Sequence, residues 1–271
     1  MPRVAVVGNL ARDVVNRGAP SPGGCPFFAA EAFKRLGEAG QIVTRFAERD
    51  RELFEPALDA LDAPVTLLDA NATSGFSLDY EGEERAMGVT AIGERWQPTD
   101  AEALAPGILW VHVAPLLRSD FPAETLAALA DGRRLSLDGQ GLVRAPRVGP
   151  LTTDADFNAV VLESVTTLKL SEEEARIVAG GPFDRASAAR LGVPEVLLTL
   201  GSHGAVLFAD GTDTFVPAAW PVLGVQTTGA GDAFMVAYAT SRADGDDAVT
   251  AAGNASRLVA EMLEERKRAA S

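Results

Sequence analysis

The chain has 271 residues, and 24 Lys plus Arg against 38 Asp plus Glu give it a formal net charge of −14. That length fits one large α/β domain or two small ones, and a composition 47% hydrophobic and 23% charged excludes an intrinsically disordered chain. The acid excess argues against a nucleic-acid partner, whose phosphates need clustered cations. A single cysteine, Cys25, excludes an internal disulfide, and two histidines, His112 and His203, leave little for a Cys/His zinc site. The opening Met1-Pro2-Arg3 runs straight into Val4–Val7 without the layout of a signal peptide, and no apolar run approaches the roughly 18–20 residues that span a bilayer. The expectation is a cytoplasmic protein with no membrane and no nucleic-acid partner.

In chain order, Val4–Val7 reads as a buried strand closed by Gly8. After Pro22-Gly23-Gly24 a helix is predicted, with Phe28, Ala29, Ala32, Phe33 and Leu36 at helical spacing and Gly37 as its stop. Leu109–Val113, Leu135–Leu137, Val160–Leu162 and Val196–Leu200 have the continuous apolar character of central parallel strands. Ala- and Leu-rich helices are expected between them, at Pro122–Ala130 and Asp184–Leu191. This alternation points to an α/β fold with a doubly wound, mostly parallel sheet flanked by helices. One stretch breaks the rhythm. Phe76, Leu78 and Tyr80 alternate with polar residues, Glu81–Glu84 reads as a turn, and Arg85–Ile92 returns as a partner strand. Such a hairpin is either an edge decoration or a lid over a substrate cleft.

The segment Val225-Gln226-Thr227-Thr228-Gly229-Ala230-Gly231-Asp232-Ala233-Phe234 joins an extended stretch to a helix. Small residues at 229–231 allow backbone N–H groups at the helix start to converge on an anion. Asp232 in the first turn would sit beside that anion, where a carboxylate can take a proton from an attacking alcohol. Taken alone, the same residues also suit a plain capped turn. No Gly-Lys pair occurs, which excludes a P-loop, and Phe234 stands where a dinucleotide fingerprint needs its last glycine.

The run Thr227–Phe234 resembles the C-terminal signature of the PfkB (ribokinase-like) carbohydrate kinases. Further matches follow in order: Gly8-Asn9 with Asp13, the pair Gly23-Gly24, Lys169-Leu170-Ser171-Glu172-Glu173-Glu174, and Thr199-Leu200-Gly201. The resemblance implies one ribokinase-like domain over residues 1–271, with a small β lid from about 10–22 and 73–95. It implies an ATP-dependent kinase acting on a small polyol or sugar, working as a monomer or homodimer. Asp232 would be the catalytic base, and Gly229, Ala230 and Gly231 the anion hole. Lys169, Ser171, Thr199, Gly201, Thr228 and Asn254 would line the nucleotide. Glu174 would hold Mg2+ through water, although Ser171-x-x-Glu174 is equally an ordinary capping box. Gln226 replaces the Asp that binds an activating monovalent cation in many members, so little or no potassium activation is expected.

For the acceptor, Asp13, Gly23 and Gly24 are the first candidates. Cys25 and Phe28 stand where ribokinases proper have Lys and Asn, which disfavours ribose. Asp138, Gln140 and Arg144 follow a predicted strand, at the end where doubly wound sheets bind ligands. Their spacing, with the aromatic residues after Gly-Gly, resembles the myo-inositol kinase branch. A cyclitol is the expected acceptor, with hexoses, pentoses and nucleosides as alternatives, and a catalytically silent ligand-binding relative as the non-enzyme alternative. His112 is expected to be a satisfied near-core histidine and Cys25 a packing residue.

Overall fold

The computed structural model describes residues 1–61, 63–81 and 84–270. The elements in order are β1 (Val4–Val7), β2 (Ala11–Val15), β3 (Pro20–Gly23), α1 (Cys25–Leu36), β4 (Gln41–Ala47), α2 (Arg51–Asp59), β5 (Val65–Ala70), β6 (Ser74–Glu81) and β7 (Glu84–Ala91). There follow β8 (Trp110–Val113), α3 (Ala123–Ala130), β9 (Arg134–Asp138), α4 (Gln140–Val143), β10 (Gly149–Pro150), β11 (Thr167–Ser171), α5 (Glu172–Ala179) and α6 (Arg185–Leu191). The chain ends with β12 (Glu195–Thr199), β13 (Gly204–Ala209), β14 (Thr212–Pro217), α7 (Ala230–Ala243) and α8 (Ala248–Ala270).

Among the described residues a nine-stranded sheet runs β14-β13-β12-β11-β9-β8-β1-β4-β5. It is parallel from β12 to β5, and the hairpin β13–β14 closes one edge antiparallel. Alternate residues of β1 face opposite layers, as strand geometry requires. Val4 and Val6 join the core under α1, α7 and α8, with Ala29, Phe33, Met235 and Leu258. Ala5 and Val7 join the core under α3, α5 and α6, with Leu126, Leu129, Ala175 and Ala188. Burial on both faces is why this strand is apolar throughout instead of alternating.

From β1 the chain winds one way through β4 and β5, and from β8 the other way through β9, β11 and β12. The switch point between β1 and β8 is where a doubly wound sheet opens a crevice at the carboxyl ends of its strands. Helices α1 and α7 both begin at that end. Gly24, with φ of 111°, introduces α1, and Gly37, left-handed at φ 68°, ends it with its N–H on the Lys34 and Phe33 carbonyls.

A second sheet, five-stranded among the described residues, runs β10-β7-β6-β2-β3. Ala11, Phe76, Leu78 and Val89 pack its inner side against Leu116 and Leu117. The expected hairpin is therefore β6–β7, and the tip of its turn, Gly82 and Glu83, lies outside the described residues. β10 is two residues long, too short to carry a periodicity.

One expected strand is a correction. Val160–Leu162 lies in a 3-10 turn, Ala159–Leu162, whose start is capped by Asn158 Oδ1 accepting from the Val160 N–H. The central strand is instead Thr167–Ser171, whose polar residues are buried because each has a partner: Thr167 donates to Glu195 and Lys169 pairs with Asp138. Among the described residues no helix is long and apolar enough to cross a membrane.

Candidate active site at the start of α7

Gly229 adopts φ 79° as the residue before α7, a left-handed conformation that favours glycine. A methyl group there would also collide with the ring of Phe28 from α1. The Ala230 N–H donates to the Thr227 carbonyl at 3.0 Å and so closes the turn rather than facing an anion. Of the expected hole, the amides left by helix geometry for a ligand are therefore those of Gly231 and Asp232, with Gly229 shaping the approach. A methyl on Gly231 would stand 3.1 Å from Lys169 Nζ, so an ammonium lies directly against this helix start.

Lys169, on β11, is held by Asp138 at the end of the neighbouring β9, with Nζ 2.9 Å from Oδ2. Both are buried, at 8% and 2% exposure, and Asp138 Oδ1 accepts the Gln140 N–H at 3.2 Å. Burial works against both charges. Attraction prevails, holding the Lys169 ammonium above its usual range and the Asp138 carboxyl below its own. Asp138, expected among the acceptor contacts, thus also positions Lys169.

Asp232 is half-buried in the first turn of α7. Burial, reinforced by the nearby Asp138 charge, pushes its carboxyl up to about 6, while the neighbouring Cys25 thiol and the charges of Lys169 and Arg144 pull the other way. The Cys25 thiol, at the first position of α1, is raised well above its usual value by burial and by Asp232. His112 is wholly buried on β8. Its Nδ1 shares a 3.1 Å contact with Ser136 Oγ, and its Nε2 has no partner among the described residues. It is therefore not the satisfied core histidine expected, and burial depresses it to about 4.

On one flank, Ser171 and Glu174 form the capping box of α5. The Ser171 N–H donates to Glu174 Oε2 at 2.8 Å, and the Glu174 N–H to Ser171 Oγ at 3.3 Å. Burial raises the Glu174 carboxyl, against the pull of Lys169. Gly139 permits this packing, since a methyl there would lie 2.8 Å from the Lys169 carbonyl and 3.1 Å from Glu174 Oε2. Thr199 ends β12 and donates to the Leu170 carbonyl at 3.2 Å, and Gly201 follows at φ 56°. The Thr228 carbonyl accepts from Arg266 Nη1 at 2.7 Å, tying α8 to the turn before α7.

On the other flank, Gly23 leaves room for the Asp13 carboxylate, which a methyl would strike, and a methyl on Gly24 would lie 2.8 Å from the Asn9 carbonyl. Gln140 opens α4, and Arg144 follows it close enough for its charge to lower Asp232, Glu174 and Asp120. Asn254 is not brought to this site. Its side chain donates to Ser241 Oγ at 3.0 Å and Asp246 Oδ2 at 3.3 Å, beside the opposite end of α7. The approach of Cys25, His112 and Asp232, and the Phe28 ring under Gly229, had no local pattern to announce them.

A model of the "pfkB family carbohydrate kinase" matches residues 88–270. A fructokinase of Klebsiella pneumoniae is 29% identical over 255 residues, which cover 86% of this chain and 82% of that protein. Among solved structures, a pyrophosphate-dependent kinase of the ribokinase family, in complex with a pyrophosphate analog and myo-inositol, superposes with a TM-score of 0.81 at 21% identity, over 96% of this chain and 95% of that one. The ribokinase of Arabidopsis thaliana, complexed with ribose and ATP, superposes with a TM-score of 0.69 at 20% identity, over 97% and 93%. The chain belongs to the pfkB family of carbohydrate kinases and is a phosphotransferase with an alcohol group as acceptor.

Proposed function

We propose that the enzyme transfers the γ-phosphoryl group of ATP to a hydroxyl of a small polyol, a cyclitol such as myo-inositol. The observation that carries this reading is the meeting of an ammonium, Lys169 Nζ, with the first-turn amides of α7 beside Asp232. Asp232 takes the proton of the acceptor hydroxyl as its oxygen attacks phosphorus. The amides of Gly231 and Asp232 and the Lys169 ammonium stabilise charge on the transferred group, worth a few kcal/mol for each well-placed donor. Arg144 adds a second cation on the acceptor flank, where Asp13 and Gln140 bind hydroxyls and Gly23-Gly24 allow close approach. Thr199, Gly201, Ser171 and Thr228 line the rest of the donor. The sheet of β2, β3, β6 and β7 serves as the lid that sheds water from the cleft.

The flank near Lys169 offers oxygen donors, as Mg2+ requires. Glu174 would hold the ion through water, because its Oε2 is already engaged by the Ser171 N–H. When bound, Mg2+ would neutralise the phosphate oxygens. A cyclitol acceptor is supported by Cys25 and Phe28 in place of Lys and Asn, and by the myo-inositol bound to the similar fold.

A second donor, inorganic pyrophosphate, is favoured by the position of Asn254. The residue expected at an adenine is bonded to Ser241 and Asp246 instead, and the neighbour of TM-score 0.81 is pyrophosphate-dependent. Phosphorylation of inositols, hexoses, pentoses and nucleosides, assayed with ATP and with pyrophosphate separately, tests both choices. Transfer to a cyclitol at the highest kcat/KM is expected. Preference for a pentose, hexose or nucleoside would replace the acceptor, and turnover with pyrophosphate alone would replace ATP.

A further inference from the structure

The sulfur of Cys25, a ring nitrogen of His112 and a carboxylate oxygen of Asp232 all lie within 4.8 Å of one another. They come from α1, β8 and α7, three elements that meet at the switch point of the sheet. The His112 ring is fully buried with Nδ1 held by Ser136, so Nε2 is the nitrogen left without a partner among the described residues. A buried, unpartnered imidazole nitrogen beside a thiol and a carboxylate is an unusual arrangement, because an orphaned buried polar atom is costly.

We propose that Cys25, His112 and Asp232 form a binding site for a thiophilic divalent cation such as Zn2+, distinct from the Mg2+ position at Glu174. The donor set is one sulfur, one nitrogen and one oxygen, which suits Zn2+ and leaves a fourth position for water on the half-exposed side of Asp232. Donors on a tetrahedral Zn2+ stand about 3.3–3.6 Å apart, given its bond lengths of about 2.0–2.3 Å. Closing the triad from its present spread needs side-chain shifts of about 1 Å. The Cys25 sulfur and an Asp232 carboxylate oxygen lie within 4.8 Å of each other, so the cation takes the place of the thiol proton between them. The Cys25 S–H bond breaks, a sulfur–metal bond forms, one proton passes to solvent, and no electron is transferred. A thiolate and a carboxylate then neutralise the 2+ charge, and the unpartnered Nε2 of His112 supplies the third donor. An ion seated there would occupy the carboxylate proposed as the base, and so switch the enzyme off.

The test is titration of the full-length protein with Co2+ alone, without donor or acceptor, in excess Mg2+. One equivalent should bind, giving the thiolate-to-cobalt charge-transfer band and the visible bands of a tetrahedral site, displaced by Zn2+. Cys25→Ser should abolish the charge-transfer band, and His112→Gln should weaken binding by at least about tenfold. Circular dichroism and melting curves select variants that fold, and a Cys25→Ala variant stands in should the serine variant not fold. Absence of the charge-transfer band in the wild-type protein, its survival in a folded Cys25 variant, or displacement of Co2+ by Mg2+ would each overturn the proposal. The readout is spectroscopic, so it is independent of which donor or acceptor the enzyme uses.

Discussion

Both ends of helix α7 carry buried charge and treat it in opposite ways. At the C-terminal end, Glu195 receives three donors: Arg242 at 2.6 Å, the Tyr238 hydroxyl at 2.6 Å and the Thr167 hydroxyl at 2.7 Å. Arg242 also donates to the Asp246 carbonyl and lies over Trp110, and its charge suits the helix dipole there. At the N-terminal end, Asp138, Glu174 and Asp232 crowd around the Lys169 ammonium, with the Arg144 charge also acting on the latter two, and the Asp232 and Glu174 carboxyls are both raised. Matched donors and acceptors hold a fold together, and at the C-terminal end most of them are matched, although Arg242 Nε has no partner among the described residues. Like charges forced into one cleft wait for a ligand that will relieve them, and the contrast separates the structural end of the helix from the reactive one.

The largest effect on stability should come from cutting the ion pair at each end. Lys169→Met leaves Asp138 buried and alone, with an expected loss of about 3–5 kcal/mol in chemical denaturation and loss of donor binding. Arg242→Met should cost about 3 kcal/mol, the lower end of that range, because Arg242 is partly exposed. Its turnover per folded molecule should stay at the wild-type value. Equal losses of turnover in both variants would erase the distinction between the ends.

Asp232→Asn should act in the opposite sense. A carboxyl raised from 3.8 to about 6 binds its proton more tightly in the folded state, so its contribution to stability is complete below about pH 4 and lost as pH rises through 6. The amide variant should therefore be more stable than wild type at pH 8, by up to about 3 kcal/mol, with the gain vanishing near pH 4. Urea denaturation at the two pH values checks the sign.

Smaller effects separate the glycines. Gly37 and Gly229 both have left-handed backbones, but nothing stands within 4 Å of a methyl on Gly37, whereas one on Gly229 meets Phe28. Gly37→Ala should cost about 1 kcal/mol with activity retained, and Gly229→Ala about 2–3 kcal/mol with a loss of turnover. Smallest of all is the response to monovalent cations. With Gln226 in place of an acid, exchanging Na+ for K+ should leave the steady-state rate unchanged.

How much of this was legible in the sequence depended on how local each feature is. The apolar Val4–Val7 run, the Gly37 stop and the small residues at 229–231 each act through their immediate neighbours, and the structure has them where the sequence puts them. The Lys169–Asp138 pair joins residues 31 apart, adjacent only because β9 and β11 pair in register. Each residue could therefore be read as a separate ligand contact. His112 met Cys25 and Asp232 only once three elements converged on the switch point. Val160–Leu162 misled because a short apolar run does not distinguish a strand from a turn, and Asn158 capped it as a turn.

The most direct measurement is the single-turnover rate of phosphoryl transfer in Asp232→Asn beside wild type, with donor affinity measured in parallel. Donor affinity close to wild type and transfer slowed by about 10²–10⁴-fold are expected for the loss of a general base. Transfer at the wild-type rate would contradict a role for Asp232 as the base and the reading of the α7 start as the seat of the chemistry.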